Sequence, residues 1–392
     1  MTAATRWVTG LLTLLAALLA INAELPRIVH EPGLWDFGSF VASGRAASEG
    51  LNPYGIYPLT LRVELPGFES WNPNLNPPIS ALLFQAFDAA DPYVTYQAWR
   101  WISVIVYAGA VLLLVSRVSN RVEALIIAVW AFALAGFWDT LFLGQIYLPL
   151  VLAGVAAWLL LERRAGLWAG LLIGVVVAMK PNFLVWPVLL LLSGHHRPAM
   201  VAFGTAGIIS LIPLVIYGPE VYRQWFELVA ADGSRALFLT NGSFAGLAAR
   251  AGVPALGLVL GFLLLAGLAA WAWWRRPDVL TVSALALLAS VLASPLGWIH
   301  YTLFLLPVIV RHWHRPAMRL VALLLIVPVP FIIDQLGKPA WVQLTMGSVY
   351  GWALVLCLAI LIADEWRRIR QNEQRASAAM PLPQRHYRPS AS

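Results

Sequence analysis

The chain has 392 residues, of which 60% are hydrophobic and only 11% are Asp, Glu, Lys or Arg. Charged residues make up about a quarter of an ordinary soluble domain, so this composition excludes a soluble protein and indicates a polytopic membrane protein. The net charge of +7 does not indicate a nucleic-acid partner, because most Lys and Arg residues fall in short loops between apolar runs, where they set membrane topology.

About a dozen apolar runs predict membrane-spanning helices, since a bilayer core about 30 Å thick needs roughly 20 apolar residues per helix. The predicted spans are residues 7–23, 97–116, 122–137, 146–162, 166–179, 181–193, 199–217, 253–274, 279–293, 297–312, 317–333 and 345–363. Residues 77–90 form a shorter run that ends in polar residues, which indicates a half-span or an interfacial helix. The fold class is therefore predicted as all-α, a polytopic transmembrane helical bundle of about 12 spans.

The basic loops predict the orientation of this bundle. Arginines cluster at 163–164, 197, 275–276 and 367–370, on one face that the positive-inside rule makes cytoplasmic. The opposite face receives a long first outer loop, 24–96, and a second outer loop, 218–252. The N-terminal run could be a cleaved signal peptide, but Ile21 fits the cleavage pattern poorly, so a retained anchor is favoured. The membrane domain is predicted to cover residues 1–366, followed by a disordered basic cytoplasmic tail, 367–392.

The first outer loop carries an acidic residue beside an amphipathic pattern. From Phe37 the apolar residues recur at the spacing of a helix, with Ser39 and Ser43 on the opposite face, which predicts a helix lying on the membrane surface. Asp36 stands at the start of this helix. On chemistry alone it could be an ordinary N-cap or a reactive carboxylate beside the bilayer.

Several short motifs resemble, in the same order, the signature of glycosyltransferase family 87, the polyprenyl-phosphate-mannose-dependent enzymes of the GT-C class. In chain order they are Asp36-Phe-Gly-Ser-Phe, Gly50-Leu-Asn-Pro-Tyr54, Asn76-Pro-Pro, Leu82-Leu-Phe84, Gly144-Gln145, Lys180-Pro181, Ser294-Pro295, Trp298 and His300-Tyr301. The similarity extends over residues 7–333. One departure is Phe40-Val41, where tyrosines are expected in the family; it concerns a contact with the acceptor and not the carboxylate.

The resemblance implies a GT-C-type, metal-independent, inverting transfer of a hexose, with mannose expected, from a polyprenyl-phosphate donor to a hydroxyl of a lipid or glycan acceptor. Asp36 would be the general base that takes the acceptor proton. Lys180 and His300 would bind the donor phosphate, whose negative charge grows as it leaves. No cofactor is expected. The partners would be the lipid donor, the acceptor and membrane lipids, with the active site on the extracytoplasmic face of the cytoplasmic membrane.

Each of the other candidate site residues has both a functional and a purely structural interpretation. Lys180 could simply snorkel to the interface before Pro181, and His300 could be a satisfied core histidine. Gln145 could bind a sugar or only link helices. Asn52, Tyr54 and Trp298 are further candidates for substrate binding, although the first two could equally fix a turn around the intervening proline.

The sequence lacks the motifs of several other catalytic chemistries. The sequence has no P-loop, no His-Glu-x-x-His motif and no dinucleotide-binding glycine pattern, and its single cysteine, Cys357, lies inside an apolar run. A polytopic transporter or lipid flippase is the main alternative, and it should show internal repeats and polar groups in mid-membrane. A structural or assembly subunit is the third reading, in which the outer-loop aromatic residues would form a partner surface.

Overall fold

The computed structural model describes residues 3–30, 33–65, 68–88, 91–231 and 233–378. Over these residues the protein is predominantly helical, with one two-stranded hairpin. The helices are α1 (Ala3–His30), α2 (Trp35–Ser48), α3 (Ile79–Phe84), α4 (Pro92–Val115), α5 (Arg121–Ala133), α6 (Ala135–Leu143), α7 (Tyr147–Glu162), α8 (Gly166–Met179), α9 (Val185–Leu192), α10 (His196–Tyr217), α11 (Glu220–Ala231), α12 (Phe244–Arg250), α13 (Pro254–Arg275), α14 (Val279–Leu292), α15 (Leu306–Arg311), α16 (Pro316–Leu324), α17 (Val329–Ile333), α18 (Ala340–Thr345) and α19 (Val349–Ala378). Short 3₁₀ segments lie at Gln85–Phe87, Pro181–Leu184, Gly233–Leu237, Ile299–Leu305 and Met346–Ser348.

Five segments of the described chain are long and apolar enough to cross a membrane, and a sixth is added if α5 and α6, bent by 41°, count as one span. The five are Ala4–His30, Pro92–Val115, His196–Tyr217, Pro254–Arg275 and Ala340–Gln371. Large apolar side chains on these helices face outward, as on α13, where Phe262 is 70% exposed. Such an apolar surface is suited to lipid and not to water, so the structure is that of a helical membrane protein.

The predicted number of about 12 spans is not confirmed. Five other predicted spans correspond to apolar helices of 10–17 residues, at Tyr147–Glu162, Gly166–Met179, Pro181–Leu192, Val279–Leu292 and Ile299–Arg311. The longest of these helices has 16 residues and at 1.5 Å per residue reaches about 24 Å, which is short of the roughly 30 Å hydrocarbon core. The predicted span 317–333 is divided into α16 and α17. Helix length and composition therefore support five or six full crossings among the described residues, and the other predicted spans stay predictions.

Helices α8 and α10 pack against each other through glycines on α8. A methyl group on Gly170 would lie 2.6 Å from the carbonyl oxygen of Pro198, and one on Gly174 would lie 2.5 Å from Cβ of Thr205. Only glycine allows backbones to approach so closely, as in small-xxx-small helix pairs. This packing fixes the end of α8, where Lys180 follows Met179.

The first outer loop contains a β-hairpin that the sequence reading did not predict. Strand β1 (Leu61–Leu65) pairs antiparallel with β2 (Phe68–Asn72), and Leu61 lies opposite Asn72. In β1 the half-buried Leu61, Val63 and Leu65 alternate with exposed residues, which is the period-two pattern of a strand. The hairpin ends at Asn72, next to Asp36.

Helix α2 occupies the segment where a surface helix was predicted, but its surroundings differ from that prediction. Ser39 and Ser43, assigned to an exposed polar face, are 2% and 1% exposed. Ser39 Oγ accepts a hydrogen bond from the Leu61 N–H at 2.9 Å, and Ser43 Oγ accepts one from the Asn74 amide at 3.1 Å. The helix is thus enclosed by the outer-loop segments and does not lie on the surface, since these segments satisfy its polar face.

Two further predictions concern chain segments at the edges of the described residues. Helix α3 and the 3₁₀ turn after it cover part of the predicted run 77–90. The helix itself has six residues and cannot cross a bilayer, and residues 89–90 lie outside the described part.

Helix α19 continues to Ala378, so residues 367–378 of the tail are helical and not disordered. Arg368, which contacts Asp278 and Thr281, ties that extension to α14. Residues 379–392 lie outside the described residues.

Candidate active site

Asp36 is buried at the beginning of α2 and is bound by two amide side chains from other parts of the chain. The residue is 5% exposed. The Asn72 amide donates to Oδ1, and the Gln145 amide donates to Oδ2. The N-cap of α2 is Leu34, which makes no side-chain cap hydrogen bond. Asp36 therefore joins three segments of the chain at one point, and this tertiary contact distinguishes it from a simple helix cap.

Burial raises the pKa of Asp36 to about 6. The hydrogen bond from Gln145 opposes this increase, as do the charge of Arg235 and the hydrogen bond from Asn72, whereas the nearby charge of Asp139 adds to it. A carboxyl with a pKa of about 6 is mostly ionised at neutral pH and is a much stronger base than an ordinary aspartate. This is the property that a general base operating near neutral pH requires.

The turn that follows α6 positions Gln145. Gly144 adopts a left-handed conformation with φ of +70°, and a methyl group there would lie 2.7 Å from Cβ of Phe37. The indole N–H of Trp99 donates to the Gly144 carbonyl at 3.1 Å. The other amide atom of Gln145, Oε1, is buried and has no hydrogen-bond partner among the described residues. Buried polar atoms are normally paired, so this oxygen is available to a substrate hydroxyl.

Lys180 lies in the break between α8 and the 3₁₀ segment that begins at Pro181, and it is 7% exposed. Its ammonium group donates to Oδ1 of Asn76. It also lies 4.3 Å from the ring centroid of Tyr147 and 5.7 Å from that of Tyr301. The salt bridges between described residues do not include Lys180. Burial lowers the pKa of Lys180 to about 7, and the nearby charge of Asp36 opposes this decrease, so an anion bound beside the amine would stabilise its charged form.

His300 contacts the same two tyrosine rings, Tyr147 and Tyr301, as Lys180. Its ring stacks on Tyr147 with centroids 4.3 Å apart, and its Nδ1 lies 3.3 Å from Oδ2 of Asp139. The second ring nitrogen, Nε2, is buried and has no hydrogen-bond partner among the described residues. A carboxylate on one nitrogen of a histidine orients the ring and leaves the other nitrogen for a ligand.

Of the other three predicted site residues, Asn52, Tyr54 and Trp298, Tyr54 is linked to this cluster through Asn76. Asn52 is exposed, and its Oδ1 accepts a hydrogen bond from the Tyr54 N–H at 2.9 Å, which is a local turn contact. The Tyr54 hydroxyl donates to the Asn76 carbonyl at 3.1 Å. Tyr54 therefore supports the residue that contacts Lys180. Trp298 is partly buried, with its ring 6.0 Å from that of Phe238.

The structure adds residues to the site that the sequence reading did not assign. Asn72 contacts Asp36 directly, and Arg235 contacts Asn72. Tyr147 contacts both Lys180 and His300, and Asp139 pairs with His300. One signal was available, since asparagines alternate at 72, 74 and 76 in an otherwise apolar, proline-rich stretch. The contact of Arg235 crosses 163 residues of sequence and has no local signal.

The cluster combines a basic carboxylate, an unpaired amide oxygen, a buried cation and an unpaired imidazole nitrogen. Together these groups can accept a proton from a hydroxyl, bind a polar substrate and neutralise an anionic leaving group. Among the described residues, no group of three or more His, Cys, Asp or Glu side chains is arranged to hold a metal ion.

Comparisons with known proteins agree with this chemistry. Over 402 aligned positions the chain is 26% identical to a protein of Mycobacterium tuberculosis (strain CDC 1551 / Oshkosh) named polyprenol-phosphate-mannose-dependent alpha-(1-2)-phosphatidylinositol pentamannoside mannosyltransferase, and the alignment covers 91% of this chain and 88% of that protein. No solved structure matches the chain.

The family model of glycosyltransferase family 87 matches residues 74–295. That segment includes Gln145 and Lys180, whereas Asp36 precedes it and His300 follows it. The family assignment favours a transferase over a transporter or an assembly subunit. Since the match covers more than half of the chain, the chain belongs to glycosyltransferase family 87.

Proposed function

We propose that this protein is an integral-membrane mannosyltransferase. It transfers mannose from polyprenyl-phosphate-mannose to a hydroxyl of a lipid or glycan acceptor, on the extracytoplasmic face of the cytoplasmic membrane. The family and the name of the mycobacterial relative support the donor class. The observation that carries the proposal is the buried carboxylate of Asp36, with a pKa of about 6, next to the unpaired Oε1 of Gln145.

In the proposed reaction, the acceptor oxygen attacks C1 of the mannose while its proton moves to the carboxylate of Asp36. The bond between C1 and the phosphate oxygen breaks on the opposite face, so the configuration at C1 inverts. The electron pair of that bond stays with the polyprenyl phosphate. Two hydrogen bonds, from Asn72 and Gln145, hold the carboxylate, and each oxygen retains lone pairs that can accept the proton. The contribution of such a base is typically about 10²–10⁴ in rate.

The leaving group gains negative charge as the bond breaks, and the buried cation is suited to stabilise it. Lys180 is the proposed partner of the donor phosphate, because burial strengthens its interaction with an anion. The unpaired Nε2 of His300, oriented by Asp139, is the second proposed contact. Both groups contact the ring of Tyr147, which places them near each other and suits them to share one phosphate.

A lipid donor also agrees with the position of the site. The site lies where the outer-loop segments meet the ends of apolar helices, since α2 and Asn72 belong to the first outer loop whereas Lys180 ends the apolar helix α8. A polyprenyl chain can remain among apolar side chains at that boundary while its phosphate reaches Lys180. The GT-C type of fold and the inverting outcome remain part of the proposal.

The proposal is tested with the purified protein in detergent. Radiolabelled polyprenyl-phosphate-mannose, polyprenyl-phosphate-glucose and a soluble nucleotide-mannose are offered in parallel with extracted glycolipid acceptors. We expect label to reach the acceptor only from polyprenyl-phosphate-mannose. Transfer from the nucleotide sugar alone would contradict the membrane-embedded donor, and transfer from the glucose donor alone would contradict mannose. No transfer from any donor would contradict the enzyme itself.

A further inference from the structure

Arg235 is linked to Asp36 through one intervening side chain. Its guanidinium donates through Nη1 to Oδ1 of Asn72 and through Nη2 to the Trp71 carbonyl, the latter at 2.6 Å. Asn72 in turn donates its amide N–H to Asp36. Arg235 is 7% exposed and belongs to the 3₁₀ turn Gly233–Leu237 of the second outer loop. Three segments far apart in sequence thus meet in one chain of hydrogen bonds.

The orientation of the Asn72 amide follows from chemistry. A guanidinium has only donors, so the side of the amide that faces Arg235 must be its oxygen. The nitrogen then faces Asp36, where an ionised carboxylate offers only acceptors. Arg235 therefore selects the rotamer of Asn72 that donates to the carboxylate and stabilises its charged form.

We propose that Arg235, acting through Asn72, is a positioning residue that keeps the general base Asp36 ionised and correctly oriented. This inference rests on the proposed function. It gives the second outer loop a direct role in keeping Asp36 ionised, because Arg235 belongs to that loop. The hydrogen bond from Arg235 to the Trp71 carbonyl also holds the end of β2 beside α2.

The charges around Asp36 determine the expected effect of losing Arg235. From the second outer loop the cation of Arg235 lowers the pKa of Asp36, and from α6 the carboxylate of Asp139 raises it. The amides of Gln145 and Asn72 lower it, and Lys180, from the break after α8, interacts with Asp36 as an opposite charge. Without Arg235 the pKa of Asp36 must rise from about 6, so a smaller fraction of the enzyme carries the ionised base at a given pH.

The experiment measures kcat/KM for mannosyl transfer between pH 5 and pH 9. Wild type should lose activity below about pH 6, where Asp36 becomes protonated. In Arg235→Gln and in Asn72→Asp the pH at which kcat/KM falls should increase by about one unit or more. At pH values below that point, kcat/KM should therefore be about tenfold lower than in wild type. Asn72→Asp preserves size and contact with Arg235 but places a carboxylate against Asp36. Arg235→Lys, which keeps the charge, should restore most of the wild-type profile.

Arg62→Gln is the matched control. Arg62 belongs to the same hairpin, contacts the Trp71 ring at 5.5 Å and is exposed. We expect its pH profile to equal that of wild type. If Arg235→Gln and Asn72→Asp lower activity by the same factor at every pH, the residues are only structural and the inference is overturned. The same holds if neither variant changes the pH at which kcat/KM falls.

A second readout does not depend on activity. Hydrophobic carbodiimides modify protonated carboxyl groups, so the pH midpoint of Asp36 labelling, followed by peptide mass spectrometry, reports its protonation directly. The midpoint should be higher in Arg235→Gln than in wild type, and an unchanged midpoint would overturn the inference. If wild type labels with a midpoint near pH 6 that increases in the variants but transfers no mannose, the proposed function fails and the positioning contact stands.

Discussion

Gly144 provides a test of how closely the turn after α6 must approach α2. It has φ of +70°, and a methyl group at this position would lie 2.7 Å from Cβ of Phe37 and 2.8 Å from the ring of Tyr96. Phe37 follows Asp36 in the chain, and Gln145 follows Gly144. A Gly144→Ala substitution therefore forces apart the two segments that carry the hydrogen bond between Gln145 and Asp36.

The magnitude follows from two contributions. A left-handed conformation costs a non-glycine residue about 1–2 kcal/mol, and overpacking in a filled site adds about 1–3 kcal/mol. Gly252, with φ of +77° and open space around it, carries only the first contribution. We therefore expect Gly144→Ala to destabilise the protein by about 2–5 kcal/mol and Gly252→Ala by about 1–2 kcal/mol.

The assay combines thermal unfolding in detergent with mannosyl transfer measured below the unfolding temperature of each variant. Gly144→Ala should unfold at a lower temperature than Gly252→Ala and should transfer at least tenfold more slowly, because a displacement of about 1 Å at a catalytic group can cost about 10² in rate. Gly252→Ala should keep its wild-type rate. Equal unfolding temperatures for the two variants, together with an unchanged rate for Gly144→Ala, would refute the close approach.

Three further predictions concern the anion contacts and the topology. Lys180→Met should lower kcat by about 10² or more, because the leaving phosphate loses its buried cation. Lys338→Met, at an exposed lysine, is the control. Equal rates in the two variants would contradict the role of Lys180. His300→Ala should raise the KM for the lipid donor, measured by donor titration, and His300→Gln, which keeps a polar group, should recover part of that affinity; an unchanged KM in both would exclude the contact. A reporter fused after Trp71 should be extracytoplasmic and one fused after Arg276 cytoplasmic, and the opposite pattern would remove Asp36 from the outer face.

Local sequence signals predicted much of what is local in this structure. Long apolar runs marked most of the helices between α4 and α14, whereas α11 and α12 lie in the segment that was predicted as the second outer loop. The alternation of half-buried and exposed residues in β1 is an equally local signal, but the prediction from sequence did not include this strand. Composition does not show where an apolar run bends or stops, as at Lys180 between two short helices, and helix length does not confirm the predicted number of about 12 spans.

The candidate site could be predicted only in part. Asp36, Gln145, Lys180 and His300 carried visible motifs, and the structure brings them into one buried cluster. Their partners could not be predicted, because the contact of Asn72 with Asp36 depends on a hairpin. The burial that gives Asp36 a pKa of about 6 is likewise a property of the assembled loops and not of the residues around it in sequence.

The most direct test of the account replaces the carboxylate of Asp36. Mannosyl transfer from polyprenyl-phosphate-mannose is measured for wild type and Asp36→Asn, with donor binding followed in parallel to show that the site is intact. We expect Asp36→Asn to bind the donor as wild type does and to lose about 10²–10⁴ in kcat, since the amide fills the same space but cannot take the acceptor proton. A variant that binds the donor and transfers at the wild-type rate would contradict it.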